Sequence, residues 1–231
     1  MSADDLLAWL IDHLPAGSGL IFDIGAGTGR DAAWFAEKGH EVVAIEPAGQ
    51  MRRHGQQLHP NERIRWVDDR MPALATVLRH GLAADLILLS AVWQHLAPAD
   101  RSRAFRKLVA LLKPGDLLAI TLRHGPAPPE RGMHEVTLEE IERLARAHGL
   151  AVIHTAQVSD AMGRPQVSWT QVALIEIPSI DAWSAWYRRG SRNGRAIIQL
   201  LGMEQCRKRA HMKWLSFCGR QLGDGRVLLL R

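Results

Sequence analysis

The stretch "IFDIGAGTGRDAAWF", residues 21–35, contains three alternating glycines between an apolar run and a helix-like run. The apolar residues up to Ile24 are typical of a buried strand, and those after Gly29 are typical of a helix. An ordinary turn between a strand and a helix needs one glycine. Alternating glycines permit positive φ angles and let a ligand lie directly on the backbone. The stretch therefore predicts a strand, a ligand-binding turn and a helix.

Strand-like and helix-like runs alternate along most of the chain. The predicted helices cover residues 29–38, 99–112 (ending at the "KPG" of 113–115) and 137–148, the last opening with a capping box from Thr137 to Glu140. The first five strand-like runs are continuously apolar, as in a parallel sheet that is buried on both faces. The seven runs are residues 20–24, 41–46, 64–67, 85–90, 116–122, 150–158 and 166–177.

This alternation predicts an α/β fold: a doubly wound, mostly parallel seven-stranded sheet with helices on both faces. Only the loop "SDAMGRP", residues 159–165, separates the last two runs. They therefore predict an antiparallel hairpin at one edge of the sheet. The residues from about 180 onward form a basic C-terminal appendage to this fold.

The spacing of the glycines separates several kinds of glycine-rich site. A P-loop needs a lysine and a Ser or Thr that are absent here, and a nucleophile elbow needs a serine between its glycines. The dinucleotide fingerprint places its third glycine one position later than Gly29. The remaining pattern, D-x-G-x-G-x-G over residues 23–29, resembles that of the class I S-adenosylmethionine-dependent methyltransferases.

The resemblance extends over about residues 1–177. "VVAIEP" (42–47) ends the second strand, "WVDDRMP" (66–72) the third and "LLSAVWQHL" (88–96) the fourth, and "LLKPGDLLAIT" (111–121) leads into the fifth. The resemblance implies S-adenosylmethionine as cofactor and S-adenosylhomocysteine as product. It also implies a set of cofactor-binding residues: Asp23, Gly25, Ala26, Gly27, Gly29, Arg30, Glu46, Pro47, Asp68, Asp69, Arg70, Ser90, Ala91 and Val92.

The chemistry of the cofactor suggests roles for several of these residues. Asp23 is expected to contact the methionine ammonium, directly or through water, and Glu46 to accept hydrogen bonds from both ribose hydroxyls. The resemblance implies that Asp69, or its neighbour Asp68, receives the adenine amino group. Arg30 either pairs with the methionine carboxylate or is a surface arginine at a helix start.

Candidate substrate-side residues follow the fourth and fifth strands. His95 is either a general base or a helix-start residue that shapes the pocket wall, and Trp93 either contacts the acceptor or belongs to the core. Arg123 and His124 open an irregular segment, residues 123–135, whose cationic side chains suit an anionic or polar acceptor. Methyl transfer is a displacement that an enzyme promotes by alignment and exclusion of water, so a base is needed only where the acceptor must lose a proton.

The amino-acid composition limits the possible classes and cellular locations of the protein. It is 47% hydrophobic and 23% charged, and no apolar run reaches the length of a membrane span. The acidic start, "MSADDLLAWLIDHLP", and the two cysteines without metal-type spacing predict a cytoplasmic protein. We predict no metal site, because the remaining histidines fall on expected surfaces or helix ends without metal-ligand spacing: His13, His40, His54, His59, His80, His148 and His154.

The basic charge is concentrated at the C-terminus. Residues 181–231 contain 11 Lys or Arg and 3 Asp or Glu, against 18 and 21 in residues 1–180. We therefore divide the chain into a methyltransferase domain, residues 1–179, and a basic extension rich in Trp and Arg, residues 180–231. Three interpretations of the extension stay open: helices packed on the core, an incidental tail resembling a shifted reading frame, or a nucleic-acid surface.

The predicted function is methyl transfer to a small-molecule acceptor. Two alternatives remain: an RNA or DNA methyltransferase that uses the basic tail, and a cofactor-binding module without turnover. An N-P-P-[YF]-like motif after the fourth strand and a Pro-Cys catalytic pair are both absent, which disfavours the commonest kinds of base methylation. The sequence predicts neither the acceptor nor an oligomeric state.

Overall fold

A seven-stranded sheet with helices on both faces forms the body of the protein. The computed structural model describes residues 2–15, 17–127 and 129–176. The strands are β1 (Leu20–Ile24), β2 (Glu41–Ile45), β3 (Ile64–Val67), β4 (Ala84–Leu89), β5 (Leu112–His124), β6 (Leu150–Ser159) and β7 (Ser168–Glu176). The helices are α1 (Ala3–Leu7), α2 (Arg30–Glu37), α3 (Gly49–Leu58), α4 (Ala75–Arg79), α5 (Pro98–Ala110) and α6 (Leu138–Ala147). Short 3₁₀ helices cover Ala8–His13, Trp93–His95 and Pro129–Arg131.

The strand order in the sheet is β3-β2-β1-β4-β5-β7-β6. The first five strands pair in parallel, and β7 is antiparallel to both β5 and β6. The predicted fold class is therefore confirmed, including the edge hairpin of the last two strands. The order reverses beside β1, so the turn after β1 lies at the position where doubly wound sheets bind their ligands.

Two apolar clusters cover the two faces of the sheet. Because side chains alternate along a strand, Phe22 and Ile24 of β1 belong to one cluster and Ile21 to the other. The first cluster includes Phe105 of α5 and Ile141 of α6, and the second contains Leu7, Leu10 and the buried face of α2. Burial on both faces holds the strand ends rigidly at one edge.

Several element boundaries differ from the predicted ones. The helix predicted to end at "KPG" ends at Ala110, and β5 begins at Leu112 and runs through Pro114 and Gly115. The pairing of β4 with β5 shifts register between Ala84 and Leu86, which accommodates this irregular start. The N-terminal segment is a short α-helix continued by a 3₁₀ helix.

Other helix predictions are closer to the structure. The capping box of α6 is present, since Thr137 Oγ1 accepts a hydrogen bond from the Glu140 N–H at 3.1 Å. The sequence patterns did not predict α3 or α4. The basic extension, residues 180–231, and the domain boundary before it lie outside the described residues. In the part of the chain that the structure describes, every helix is too short or too polar to cross a membrane.

Candidate functional site

The carboxyl ends of β1 to β4 bring the predicted ligand-binding residues to one edge of the sheet. Because these strands are parallel neighbours, the segments that follow Ile24, Ile45, Val67 and Leu89 all leave the sheet at the same edge. They carry the glycine turn, Glu46, the pair Asp68 and Asp69, and the segment Ser90–Val92.

Asp23 is the most deeply buried acidic group of this edge. Its residue is 2% exposed, and its Oδ2 atom has no hydrogen-bond partner among the described residues. Burial raises the pKa of the Asp23 carboxyl well above its usual value, and the Asp31 carboxylate raises it further. Arg30 and the N–H of Ala32 oppose this rise in pKa. An unpaired carboxylate oxygen in such a setting would gain from a cationic partner.

The glycine turn is held against the end of β2. The N–H groups of Gly25 and Ala26 both donate to the Ile45 carbonyl, at 2.7 and 3.1 Å. Gly25, Gly27 and Gly29 all have positive φ, at 75°, 57° and 82°. A Cβ on Gly27 would meet no heavy atom within 4 Å, so open space lies beside the turn at this position.

Two of the three glycines serve packing. A Cβ on Gly25 would lie 2.5 Å from Cγ2 of Val92, and one on Gly29 would lie 2.7 Å from the Trp66 ring. Space beside the turn is therefore open at Gly27 and filled by Val92 at Gly25. Gly25 instead allows Val92 to approach the turn.

Glu46 is bonded to the turn rather than projecting freely from the sheet edge. Its Oε2 accepts from the Gly27 N–H at 2.9 Å, and its Oε1 accepts from the Ala48 N–H at 2.8 Å. Arg52 of α3 donates to the carbonyls of Glu46 and Pro47 and pairs with Asp68 at 2.6 Å. Arg52 thus joins the ends of β2 and β3, a role that the sequence patterns did not indicate.

The two aspartates after β3 have different environments. Asp69 is buried, and its Oδ2 accepts from the N–H groups of Thr76 and Val77 at the start of α4. Its Oδ1 accepts from the Arg70 N–H. Asp68 is exposed and bonded only to Arg52 among the described residues. The structure therefore favours Asp68 over Asp69 as the residue available to a ligand.

The segment after β4 has an unusual backbone. Ala91 has a φ of 59°, a left-handed conformation that non-glycine residues seldom adopt. Its N–H donates to Thr121 Oγ1 at 2.8 Å, and its carbonyl accepts from Gln94 Nε2 at 2.7 Å. These two side chains hold Ala91 in place beside the glycine turn. Ser90 is partly buried at the end of β4.

Arg30 forms a bidentate pair with the residue next to it. Its Nε and Nη2 donate to the two carboxylate oxygens of Asp31, at 2.6 and 2.9 Å. Two of its donor atoms are thus committed to the protein, and its side chain is half-exposed. The structure presents it first as the partner of Asp31 at the start of α2.

A cavity of about 450 Å³ lies beyond the ends of β4 and β5. Arg123 and His124 line it from β5, and Met133–Val136 line it from the loop before α6. The Arg123 guanidinium donates to the carbonyls of Gly125 and Pro126, so it also fixes the start of that loop. His124 Nε2 lies 2.7 Å from Thr170 Oγ1. Arg123 and His124 therefore line the same cavity, and their contact with an acceptor stays a prediction.

The structure places two other predicted substrate residues elsewhere. Trp93 is fully buried in the core, with its ring at right angles to that of Phe105, so it packs the core rather than contacting an acceptor. His95 is exposed at the end of a 3₁₀ helix and is not among the residues that line the cavity. The role of His95 in proton transfer stays a prediction.

The sequence patterns did not indicate Gln94, the residue between Trp93 and His95. Gln94 is 2% exposed and lines the cavity, and its Oε1 has no hydrogen-bond partner among the described residues. No sequence pattern distinguishes Gln94 from its neighbours. In a tight 3₁₀ turn the orientation of each of three consecutive side chains depends on packing with distant residues.

Two histidines are less exposed than expected. His40 is buried, and its Nδ1 accepts from the Gly19 N–H at 3.1 Å. Burial lowers the pKa of His40. His154 of β6 stacks on Trp9, with ring centroids 5.3 Å apart. Across the described residues, no group of three or more His, Cys, Asp or Glu side chains is arranged to hold a metal ion.

The comparisons with known proteins agree with this geometry. Residues 21–115, which run from β1 into β5, match the family model described as a methyltransferase domain. This part of the chain is therefore similar to methyltransferase domains. No curated protein that was compared with the chain matches it.

Several solved structures of methyltransferases share the fold of this chain. A 1,6-didemethyltoxoflavin-N1-methyltransferase from Burkholderia thailandensis is 23% identical, with a TM-score of 0.60 over 76% of each chain. A magnesium protoporphyrin IX methyltransferase from Synechocystis is 18% identical, with a TM-score of 0.60 over 75% of this chain and 77% of that one. An N-methyltransferase from Bradyrhizobium japonicum is 16% identical, with a TM-score of 0.62 over 77% and 94%. At these low sequence identities, the similarity to the three structures shows a shared fold alone.

Proposed function

We propose that the protein transfers the methyl group of S-adenosylmethionine to a small-molecule acceptor and releases S-adenosylhomocysteine. The observation that carries the proposal is Oδ2 of Asp23, which is buried at the end of β1 beside the glycine turn and has no hydrogen-bond partner among the described residues. The methionine part of the cofactor carries an ammonium group, which is a suitable partner for this oxygen. Open space at Gly27 leaves room for that part of the cofactor to lie on the backbone.

Other residues of the edge fit the rest of the cofactor. Glu46 keeps lone pairs on both carboxylate oxygens beyond the two backbone bonds that it accepts, so it is able to receive the ribose hydroxyls. Asp68, exposed at the end of β3, is our candidate for the adenine amino group. The cofactor residues proposed in this way lie on successive neighbouring strands, which is the order that an extended nucleoside would require.

Bound S-adenosylmethionine supplies a methyl group on a sulfonium, already activated for displacement. The acceptor's lone pair forms the new bond to carbon as the sulfur–carbon bond breaks, and the bond's electrons stay on sulfur to give a thioether. The protein's own contribution is to align the two molecules and to exclude water between them.

A small-molecule acceptor is supported by the cavity beyond β4 and β5. Its volume of about 450 Å³ lies within the range of small-ligand pockets, roughly 300–1,000 Å³. Arg123, His124 and His134 give it a polar and partly cationic wall. The Burkholderia neighbour was crystallised with 1,6-didemethyltoxoflavin and S-adenosylhomocysteine, and the fold that it shares with this chain supports the same general reaction.

Calorimetric titration with S-adenosylhomocysteine tests the cofactor half of the proposal. We expect a dissociation constant of micromolar order for the wild type and loss of at least about 10-fold in affinity for Asp23→Asn, which removes the charge that holds the ammonium. Absence of binding to the wild type would refute the proposal. An acceptor screen that detects S-adenosylhomocysteine formation, with amines, phenols, acids and thiols beside RNA and DNA, tests the acceptor half.

A further inference from the structure

We propose that Thr121 of β5 is a positioning residue for the cofactor, because its hydroxyl holds the Ala91 backbone in the conformation that packs Val92 against the glycine turn. This role rests on the proposed binding of S-adenosylmethionine and belongs to a residue outside the predicted cofactor set. Three observations carry it: the left-handed backbone of Ala91, its hydrogen bond to Thr121, and the packing of Val92 on Gly25.

Thr121 lies beside the end of β4 in the sheet. β4 pairs in parallel with β5, and their register aligns Leu89 with Ile120. The next residues along the two strands are Ser90 and Thr121, so Thr121 stands level with the point at which the chain leaves β4. From this position its Oγ1 accepts a hydrogen bond from the Ala91 N–H at 2.8 Å.

Ala91 has a backbone conformation that needs support. At a φ of 59° the Cβ of an L-residue crowds the following carbonyl oxygen, so such conformations persist where the surrounding structure holds them. Two side chains bond to Ala91: Thr121 Oγ1 accepts from its N–H, and Gln94 Nε2 donates to its carbonyl. Gln94 belongs to the same segment after β4, whereas Thr121 belongs to the sheet. Thr121 therefore ties the strained residue to the rigid part of the fold.

Val92 carries the effect of this hydrogen bond to the glycine turn. Its side chain covers Gly25, where an added Cβ would lie 2.5 Å from Val92 Cγ2. The Gly25 N–H donates to the Ile45 carbonyl, so β2 holds the turn through a hydrogen bond and Val92 holds it through packing. Gly25 comes two residues after Asp23, our candidate partner of the methionine ammonium. The contacts that begin at Thr121 thus end beside the methionine part of the cofactor.

Loss of the Thr121 hydroxyl should therefore affect one part of the cofactor more than the rest. Without this hydroxyl the Ala91 N–H has no acceptor in a part-buried position, and the segment is stabilised by leaving its strained conformation. Val92 then moves away from the turn, and the methionine part is held less well. The ribose and the adenine are assigned to Glu46 and Asp68, whose hydrogen bonds are to other residues.

Two ligands that share an adenosine part test this selectivity. S-adenosylhomocysteine carries the amino and carboxylate groups of the methionine part, and 5′-methylthioadenosine lacks both of them. Their dissociation constants are measured by calorimetric titration of the full chain. Thr121→Val keeps the β-branched shape and removes the acceptor. We expect it to lower the affinity for S-adenosylhomocysteine about 10-fold and that for 5′-methylthioadenosine less than about 2-fold.

Two further variants separate positioning from a general loss of stability. Thr121→Ser keeps the hydroxyl and loses a methyl group, so it should bind S-adenosylhomocysteine within about 2-fold of the wild type even where its melting temperature falls. Thr170→Val is the matched control, because Thr170 is buried in the same sheet and its Oγ1 lies 2.7 Å from His124 Nε2 rather than near Ala91. It should bind both ligands normally.

Unchanged S-adenosylhomocysteine affinity in Thr121→Val would overturn this role, as would equal losses for the two ligands or a loss in Thr121→Ser as large as that in Thr121→Val. Thr121→Ala, which also lacks the hydroxyl, replaces Thr121→Val if the latter does not fold. If 5′-methylthioadenosine binds the wild type too weakly to measure, the comparison of Thr121→Ser with Thr121→Val decides. A wild type that does not bind S-adenosylhomocysteine refutes the proposed function itself, a result distinct from normal binding by Thr121→Val.

Discussion

The carboxylate of Glu46 is bonded to the backbone of Gly27, with 2.9 Å between Oε2 and the amide nitrogen. This contact joins the end of β2 to the turn that follows β1. The other carboxylate oxygen accepts from the Ala48 N–H at 2.8 Å. Glu46 therefore shapes the glycine turn as well as offering lone pairs to a ribose. Its substitution should affect both the turn and the cofactor.

Two substitutions of Glu46 are expected to weaken cofactor binding to different extents. Glu46→Ala removes every acceptor and should lower the affinity for S-adenosylhomocysteine by about 10- to 100-fold, since charge-assisted hydrogen bonds contribute roughly 1.5–3 kcal/mol. Glu46→Gln keeps one acceptor oxygen and should fall between wild type and Glu46→Ala. Calorimetric titration measures both. Glu41→Ala, at the exposed start of the same strand, is the control and should bind normally. Unchanged affinity in Glu46→Ala with collapsed turnover would place Glu46 beside the acceptor instead.

The raised pKa of Asp23 predicts a pH dependence of cofactor binding. The ammonium binds the ionised carboxylate, so affinity for S-adenosylhomocysteine should rise with pH as Asp23 loses its proton. We expect this rise at pH values above the ordinary carboxyl pKa of 3.8. Titrations across this range should show the rise in the wild type and a flatter curve in Asp23→Asn. Identical pH profiles would mean that Asp23 does not contact the ammonium.

The same pKa shift has the opposite effect on the stability of the ligand-free protein. Because burial raises the folded-state pKa above the unfolded value, near 3.8, the folded protein binds more protons between these two values. Its contribution to stability is thus present below the unfolded pKa and is lost as pH rises through the folded pKa. Asp23→Asn should remove this loss of stability. The melting temperature of the variant, relative to that of the wild type, should therefore increase as the pH rises towards neutrality. A constant difference in melting temperature across this range would contradict the assignment.

The sequence predicted those parts of the fold that depend on local pattern. The apolar strands and the glycine turn at residues 25–29 are confirmed. A buried strand and a tight turn each require particular residue types at adjacent positions, so both can be recognised from local sequence. Helix α3, "GQMRRHGQQL", was missed because it has no apolar face: Gly55 is its one buried residue. Helix α4 was missed because it has five residues and because the acceptor of its first N–H groups is Asp69, several positions before its N-cap residue Leu74.

The site could be predicted only in outline. The sequence indicated which strand ends carry polar residues, but the environment of each depends on residues far along the chain. Gly25 needs its small size because of Val92, and His40 is buried because its ring accepts from Gly19. Pro114 and Gly115 looked like a helix stop, yet pairing with β4 extends the strand through both of them. Such pairings are tertiary contacts that local spacing does not encode.

The two aspartates after β3 should respond differently to substitution. Asp69 accepts three backbone hydrogen bonds and caps α4, so Asp69→Ala should lower the free energy of unfolding by about 1–3 kcal/mol. Asp68→Ala loses one exposed ion pair and should cost under about 1 kcal/mol, but it should weaken S-adenosylhomocysteine binding. Urea unfolding and calorimetry measure the two effects. The reverse pattern would show that Asp69 is the cofactor ligand.

Gly25 and Gly27 should differ in stability when each is replaced by alanine. Both substitutions place a side chain at positive φ, a strain of roughly 1–2 kcal/mol. Gly25→Ala also forces its Cβ against Val92 Cγ2, so it should unfold at a lower urea concentration than Gly27→Ala. In the double variant Gly25→Ala, Val92→Ala the clashing methyl groups are absent, and part of the loss should be recovered. Additive losses in the double variant would contradict the proposed contact.

Arg101 is expected to be the residue that holds the cavity loop to the core. Its side chain is 4% exposed and pairs with Glu140 of α6 at 2.6 Å. It also donates to the carbonyls of Leu96 and Glu135, so one guanidinium joins the segment after β4, the loop and the helix. Breaking a buried ion pair by removing one partner costs about 3–5 kcal/mol, because the remaining charge stays buried.

Arg101→Met should therefore lower the free energy of unfolding by about 3 kcal/mol, as measured by urea unfolding. Arg63→Met is the matched control: Arg63 also pairs with a glutamate, Glu41, but both side chains are about half-exposed, so its loss should cost under about 1 kcal/mol. Because Glu135 lines the cavity, Arg101→Met should also speed hydrogen exchange at the backbone of residues 133–136, whereas Arg63→Met should not. Equal stability losses in the two variants, or unchanged exchange in this loop, would show that Arg101 does not hold it.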